Sequence, residues 1–273
     1  MSLPSAPMPP GAAILSGMRA QVFGLGALGS EIAARLITFG AQVQGIDINH
    51  QAQSRWRDTH AWSEVAEPSV VVLCVTDQAA SSMVFEQYLD RCPPGTLVIE
   101  HGTVSPEFAY DSEQRCRRAR LRYADAPLSG GVAGAQQGKM VAMLGCDLSH
   151  QPDVEQVLSA YCARVVHLGN AGAGQRCKLA NQLAIAGIAA GLAAAQRFSR
   201  EQGLPLTQVF EALSLGSAHS VQMERLRESL SHPLTDPGQL FAWLEKDLDL
   251  CASVSSQALP LHALWRKLWE SPS

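Results

Sequence analysis

The segment Gly24-Leu25-Gly26-Ala27-Leu28-Gly29 restricts this chain more than any other. A lone G-x-G-x-x-G is weak evidence, but here the flanks agree with it. Ala20–Phe23 reads as a short apolar strand, Ser30–Thr38 as a helix, and Gln42–Ile46 as a second strand ending at Asp47. That is the order of a βαβ dinucleotide cradle, with an acid close to the expected ~20 residues beyond the motif. Gly24 allows the tight turn, Gly26 lets main chain approach a pyrophosphate, and Gly29 lets helix and strand lie close. The helix start offers N–H groups to phosphate. Asp47 suits the adenosine ribose hydroxyls and repels a 2′-phosphate, which favours NAD, with NADP as the alternative if Arg55 or Arg57 folds back.

The α/β pattern continues. Ser69–Val75 is an unbroken apolar run, as expected of a parallel strand covered on both faces. Ala79–Asp90 and Pro106–Arg118 read as helices around a strand at Thr96–Glu100, and Arg122–Asp125, Lys139–Leu144 and Val165–Leu168 as further strands. The reading is a Rossmann-type doubly wound parallel sheet over residues 19–168, preceded by a loose arm, 1–18. Between Asp47 and Ser69 little room remains for a full helix. After residue 168 strand signals cease. Leu206–Leu215, Val221–Leu230, Gln239–Ser253 and Leu261–Trp269 read as helices, so residues 169–273 form an all-α domain.

That domain is led by a long interdomain helix. Leu179–Gln196 carries no charge and is interrupted only by Gly187 and Gly191. Asn181, Gln182 and Gln196 break its apolarity, which suits a buried helix in a soluble protein better than a membrane span. Lys178, Asn181 and Gln182, at i, i+3 and i+4, share one face of one turn. Desolvation of a lysine there would lower its pKa and ready it for proton transfer. The smooth Ala/Gly face of Leu183–Ala195 calls for a second helix, from this chain or a second subunit.

Composition excludes several classes. A net charge of −4 with no basic patch argues against nucleic acid. Arg115, Arg117, Arg118, Arg120 and Arg122 read as a solvated helix end. Seven scattered cysteines without C-x-x-C, and eight histidines without H-x-x-x-H, argue against a zinc site and fit free thiols in the cytoplasm. Met1–Gly17 lacks the pattern of a signal peptide.

Four segments, in order, resemble the β-hydroxyacid dehydrogenase family (hydroxyisobutyrate, tartronate semialdehyde and related dehydrogenases). They are VFGLGALGSEIAARL, DAPLSGGVAGAQQGKM from Asp125, GAGQRCKLANQ around Lys178, and FAWLEKDLDLC from Phe241. The resemblance implies a nicotinamide-dependent oxidoreductase with a helical domain of the 6-phosphogluconate dehydrogenase type, a small carboxylate substrate and a homo-oligomer, dimer or tetramer, joined through that domain. It implies that Lys178 is the acid/base, that Ser129, Gly130 and Gly131 hold the substrate carboxylate with Gln182 and Asn181 nearby, and that Val75, Thr76, Thr103 and Lys246 join Gly24–Gly29 and Asp47 around the cofactor. Paired glycines beside a serine are independently the makings of an anion nest.

Two site positions depart from the family pattern, and one pair has a bland alternative. Gln182 occupies the position where the family has Asn. Glu100-His101-Gly102-Thr103 stands for the family's D-x-S-T, so Gly102 lacks a hydroxyl, and His101 reads as a surface residue. Lys246-Asp247 on spacing alone is a surface charge pair. The alternatives are an imine reductase of the same architecture, against which Lys178 counts, and a cofactor-binding sensor without turnover.

Overall fold

The computed structural model describes residues 14–60, 63–230 and 241–268. The chain divides into two compact units, the first ending at Lys178 and the second starting at Leu179.

The first unit is built on an eight-stranded sheet. β1 (Arg19–Phe23), β2 (Gln42–Ile46), β3 (Val70–Leu73), β4 (Leu97–Glu100) and β5 (Arg122–Asp125) are parallel in the order β2-β1-β3-β4-β5. β7 (Met140–Cys146) then runs antiparallel to β5 and to the two-residue β6 (Leu128–Ser129), and β8 (Cys162–Gly169) pairs parallel with β7. The register sets Phe23 beside Ile46 and Leu73, Leu73 beside Glu100, and Glu100 beside Asp125. Five strands therefore end level, and Gly24, Asp47, Cys74, His101 and Ala126 each take the next step out of the sheet. In open α/β sheets that edge is where ligands bind.

Alternation along the strands feeds two cores. Val70 and Val72 face a cluster with Ile32 and Leu36 of α1 (Ala27–Thr38), Trp56 of α2 (His50–Thr59), Ala135 of α5 (Gly131–Gln137) and Val154 of α6 (Gln151–Leu158). Val71 and Leu73 face the other, with Phe85 of α3 (Gln78–Gln87) and Ala109 of α4 (Pro106–Arg118). Ile32 and Leu36, both at 0% exposure, contribute roughly 1.5–3 kcal/mol each by burial. A 3-10 turn, Leu89–Arg91, follows α3.

The structure corrects three expectations here. The crossover after Asp47 does hold a helix, α2, capped by the Asn49 side chain, which accepts from Gln51 and Ala52 N–H. Residues 14–18 of the expected loose arm are packed: Leu15 is 1% exposed and its N–H donates to Phe39 O. Residues 1–13 lie outside the described residues. After Gly130 the chain enters α5, with α6 further on, where the sequence suggested no helix. At the end of α4, Arg117 pairs with Glu113, while Arg122 pairs with Asp153 of α6.

α7 (Ala173–Glu201) runs across the junction between units. By length and composition it could cross a membrane. In the second unit, however, Ala186 and Ala189 pack with Phe241, Leu244 and Leu248, and Leu192 packs with Phe210, Met223 and Leu226. These partners come from α8 (Leu206–Ser214), α9 (Val221–Leu230), a 3-10 turn (Ala242–Leu244) and α10 (Glu245–Val254), with α11 (Pro260–Leu268) adding Trp265. The expected helices at 239–253 and 261–269 lie partly outside the described residues, at 239–240 and 269.

Candidate active site

The glycine loop is built as its spacing requires. Gly24 has φ 90°, and a Cβ there would strike the Cys74 carbonyl, as one on Gly29 would strike the Gly24 carbonyl. Gly26 differs: a Cβ would meet nothing within 4 Å. Gly26 is also the N-cap of α1, without a side-chain cap and with no acid in the first turn. Gly24, Gly26, Asp47, Val75 and Thr76 line one cavity of about 210 Å³, walled on its apolar side by Ile48, Met83 and Tyr88. Leu25, Ala27, Leu28 and Gly29 flank it. Asp47 is set by its own neighbours: Oδ2 accepts from Leu25 N–H (2.6 Å) and Oδ1 from Asn49 N–H (2.7 Å). An open main-chain cradle, an uncapped helix start and an oriented acid fit a dinucleotide.

Ser129, Gly130 and Gly131 lie where β6 passes into α5. Gly130 and Gly131 both have positive φ, 132° and 65°, a conformation that the absence of a Cβ permits. Lys178 reaches this turn. Its Nζ donates to Leu128 O at 2.8 Å, which fixes the amine next to Ser129.

The start of α7 is anchored by Asp125, which is fully buried. One carboxylate oxygen accepts from Gly172 N–H (2.7 Å) and the other from Gln175 N–H (2.8 Å). Burial pushes its pKa up to about 6, against the pull of those N–H groups. Beside it in register, Glu100 is also fully buried, and burial pushes its carboxyl up to about 8, with Asp125 adding to the rise. Glu100 Oε1 accepts from Gly102 N–H (2.8 Å), and a Cβ on Gly102 would lie 2.7 Å from that oxygen. The carboxyl thus fills the space a side chain at 102 would take. Oε2 is buried, with the Ser81 hydroxyl as the polar side chain that lowers the Glu100 pKa against burial.

His101 is not a surface residue. It is 7% exposed, with Nδ1 2.6 Å from Ala126 O and Nε2 2.8 Å from the Tyr161 hydroxyl. A carbonyl can only accept, so Nδ1 carries the proton and the tyrosine donates to Nε2. Burial lowers its pKa to about 4, leaving it neutral. Thr103 follows, half-buried, in the turn after β4.

In the second unit, Gln182, Asn181, Lys246 and Asp247 form one network. Gln182, 0% exposed, donates through Nε2 to Asp247 Oδ2 (2.5 Å) and accepts through Oε1 from Asn181 (2.9 Å). Lys246 Nζ bonds Asp247 Oδ1 at 2.9 Å. Asp247 is 3% exposed while the Lys246 side chain is 52% exposed, so the acid of this pair is buried and the lysine is at the surface. The predicted site residues therefore gather in three places: the cavity at Gly24–Thr76, the Ser129–Lys178 turn, and the Gln182–Lys246 network. Asp125 and Gln175, to which the sequence gave no clue of their own, hold the second. Among the described residues no cluster of His, Cys, Asp and Glu could bind a metal.

Comparison with known proteins agrees with this geometry. Residues 19–169 match the family described as the NAD binding domain of 6-phosphogluconate dehydrogenase, and residues 172–272 that described as NAD-binding of NADP-dependent 3-hydroxyisobutyrate dehydrogenase. The chain belongs to the β-hydroxyacid dehydrogenase family. As a β-hydroxyacid dehydrogenase relative it is an oxidoreductase that uses NAD(P). It is 32% identical over 257 residues to the L-threonate dehydrogenase of Pectobacterium atrosepticum, covering 88% of this chain and 82% of that one. Among solved structures, a 3-hydroxyisobutyrate dehydrogenase from Salmonella typhimurium superposes with TM-score 0.81 at 24% identity, covering 92% of this chain and 93% of that one. The imine reductase of Myxococcus stipitatus, solved with NADP+, shares the fold at TM-score 0.67 and 17% identity, covering 92% and 93%.

Proposed function

We propose that this β-hydroxyacid dehydrogenase oxidises a small β-hydroxy acid, or reduces the matching semialdehyde or keto acid, with Lys178 moving the hydroxyl proton. The observation that carries the reading is the Lys178 amine held 2.8 Å from Leu128 O, beside the Ser129–Gly131 turn. The main-chain N–H groups of the glycine pair and the Ser129 hydroxyl suit a carboxylate, which would set the acid's hydroxyl towards the amine. As a neutral amine Lys178 takes the hydroxyl proton while the adjacent C–H leaves as hydride; in reduction its ammonium returns the proton to the alkoxide oxygen. The bound nicotinamide supplies the hydride acceptor or donor. Gly24–Gly29, Asp47, Val75, Thr76 and Thr103 would hold that cofactor, and the Asp47 carboxylate favours NAD over a 2′-phosphorylated form. Both ends of the Gln182 amide are engaged within its own unit, by Asp247 and Asn181.

A panel of hydroxy acids assayed with NAD and NADP tests the reading. A rate with at least one acid is expected, and Lys178→Ala should lower kcat by about 10²–10⁴-fold while the cofactor still binds. Cofactor binding without turnover on the whole panel favours a sensor; turnover undiminished in Lys178→Ala removes the lysine mechanism. Activity on cyclic imines in place of hydroxy acids would move the assignment to imine reduction.

The helical unit also suggests an assembly. Ala184, Gly187, Ile188, Gly191, Ala194 and Phe198 are exposed along one face of α7, Ile188 at 40% and Phe198 at 60%. That spacing makes one apolar stripe, which supports a homodimer joined through it. Light scattering should return a mass of two chains at micromolar concentration, falling to one when Ile188 and Phe198 are both changed to Glu. A wild-type monomer would refute the dimer.

A further inference from the structure

The turn after β4 is held by side chains where main chain would ordinarily serve. Gly102 N–H is bonded by Glu100, Gly102 O by Gln175 Nε2 (2.8 Å), and Val104 N–H by Gln175 Oε1 (3.2 Å). Both halves of one amide are thus used on the residues either side of Thr103. Gln175 itself is 0% exposed and stands in the first turn of α7, three residues before Lys178. Its own N–H is bonded to Asp125 at the end of β5. An apolar side chain at 175 would leave a buried carbonyl and a buried N–H without partners. A glutamate would set a carboxylate against the Gly102 carbonyl. The neutral amide satisfies both groups, one by donating and one by accepting, as an ionised carboxylate cannot.

We propose that Gln175 is a positioning residue: its amide ties the turn carrying Thr103 to the first turn of the helix carrying Lys178, so that the cofactor-side loop and the amine keep one fixed separation. The proposal rests on the function proposed above. A displacement of about 1 Å in a reacting geometry can lower a rate by about 10²-fold without loss of binding. Gln175 is therefore expected to act on kcat, and not on affinity.

The test is steady-state turnover of the best hydroxy acid by the full chain with Gln175→Met and Gln175→Glu, with cofactor affinity and thermal stability measured in parallel. Gln175→Met should lower kcat by about 10²-fold. The acid's KM and the cofactor's Kd should stay within about threefold, and the isotope effect with acid deuterated at the oxidised carbon should increase. In Gln175→Glu the ratio of variant to wild-type kcat should rise as pH falls from 8 to 6, because a neutral carboxyl can again donate to Gly102 O. A folded Gln175→Met with kcat within about threefold of wild type, or a loss confined to cofactor affinity with an unchanged isotope effect, would overturn the proposal. Should the methionine variant not fold, a flat pH ratio in folded Gln175→Glu overturns it equally. Wild-type chain that turns over no acid would sink the function itself, whereas active wild type with indifferent Gln175 variants sinks only the tie.

Discussion

Two helices start within the first unit at the same edge of the sheet, α1 after β1 and α7 near the end of β5, and they treat their first N–H groups in opposite ways. At α1 no side chain caps Gly26, no acid stands in the first turn, and a side chain at Gly26 would meet nothing of the protein. At α7 the buried Asp125 takes up the N–H groups of Gly172 and Gln175 from within the fold. Both ends carry the same partial positive charge. Left open above a cavity, it is a place for a phosphate; closed by a fixed carboxylate, it becomes a rigid mount for the lysine a turn later. The lesson is that a helix start reads as a ligand site only once its internal partners have been counted.

The largest break in this contrast should come from the closed end. Asp125→Ala leaves two buried N–H groups without acceptors and should lower unfolding free energy by about 3 kcal/mol in urea melts. A loss below about 0.5 kcal/mol would mean the cap holds nothing.

Glu100, next in register to that cap, sharpens the contrast through pH. Its folded pKa, about 8, lies above the ordinary carboxyl value near 4.5, so the folded state keeps a proton the unfolded chain has released. Its contribution is complete at low pH and is lost as pH rises towards 8. Asp125 runs the same way, but its rise ends at about 6. His101 runs the opposite way, its contribution being lost as pH falls from 6.5 towards 4. Between pH 6.5 and 8, then, Glu100 alone of the three still changes. Wild-type stability should drop by about 2 kcal/mol over that interval and the Glu100→Gln variant should stay nearly level. Equal slopes in the two denaturation series would place the titration elsewhere.

The smallest effect is expected at the open end. Gly26 has φ −64°, which any residue tolerates, so Gly26→Ala should leave stability within about 0.5 kcal/mol while weakening NAD(P) roughly tenfold by calorimetry. Unchanged affinity would mean that no cofactor approaches there.

The open end was legible in the sequence and the closed end was not, for a physical reason. Gly24–Gly29 is a local device whose partners, strand, helix and acid, follow within one βαβ unit. SVVVLCV declared a doubly covered strand in the same local way, and Val70–Leu73 are all buried. Asp125 and Gln175 work through partners 47 to 73 residues away, which no spacing announces. His101 looked like a surface residue because the tyrosine that takes it inside, Tyr161, lies 60 residues on. α2 escaped because HQAQSRWRDT is polar around its whole circumference and buries only Trp56. α5 escaped because GVAGAQQ offers glycine and alanine where periodicity needs larger side chains. Gln182 was visible as a departure, but its bond to Asp247, 65 residues away, was not.

The contact between Glu100 and Gly102 also bears on how such a turn can change over generations. Because the glutamate oxygen stands 2.7 Å from where a Cβ at 102 would lie, a serine at 102 would have to displace the Glu100 carboxyl while the longer acid remains. Shortening the acid to aspartate first would withdraw that oxygen and open the space. Glutamate with glycine, or aspartate with serine as in the family's usual D-x-S-T, are then two compatible states of one interlocked pair. Serine at 102 is therefore expected to be better tolerated once the acid has been shortened, and the glycine here goes with the longer acid.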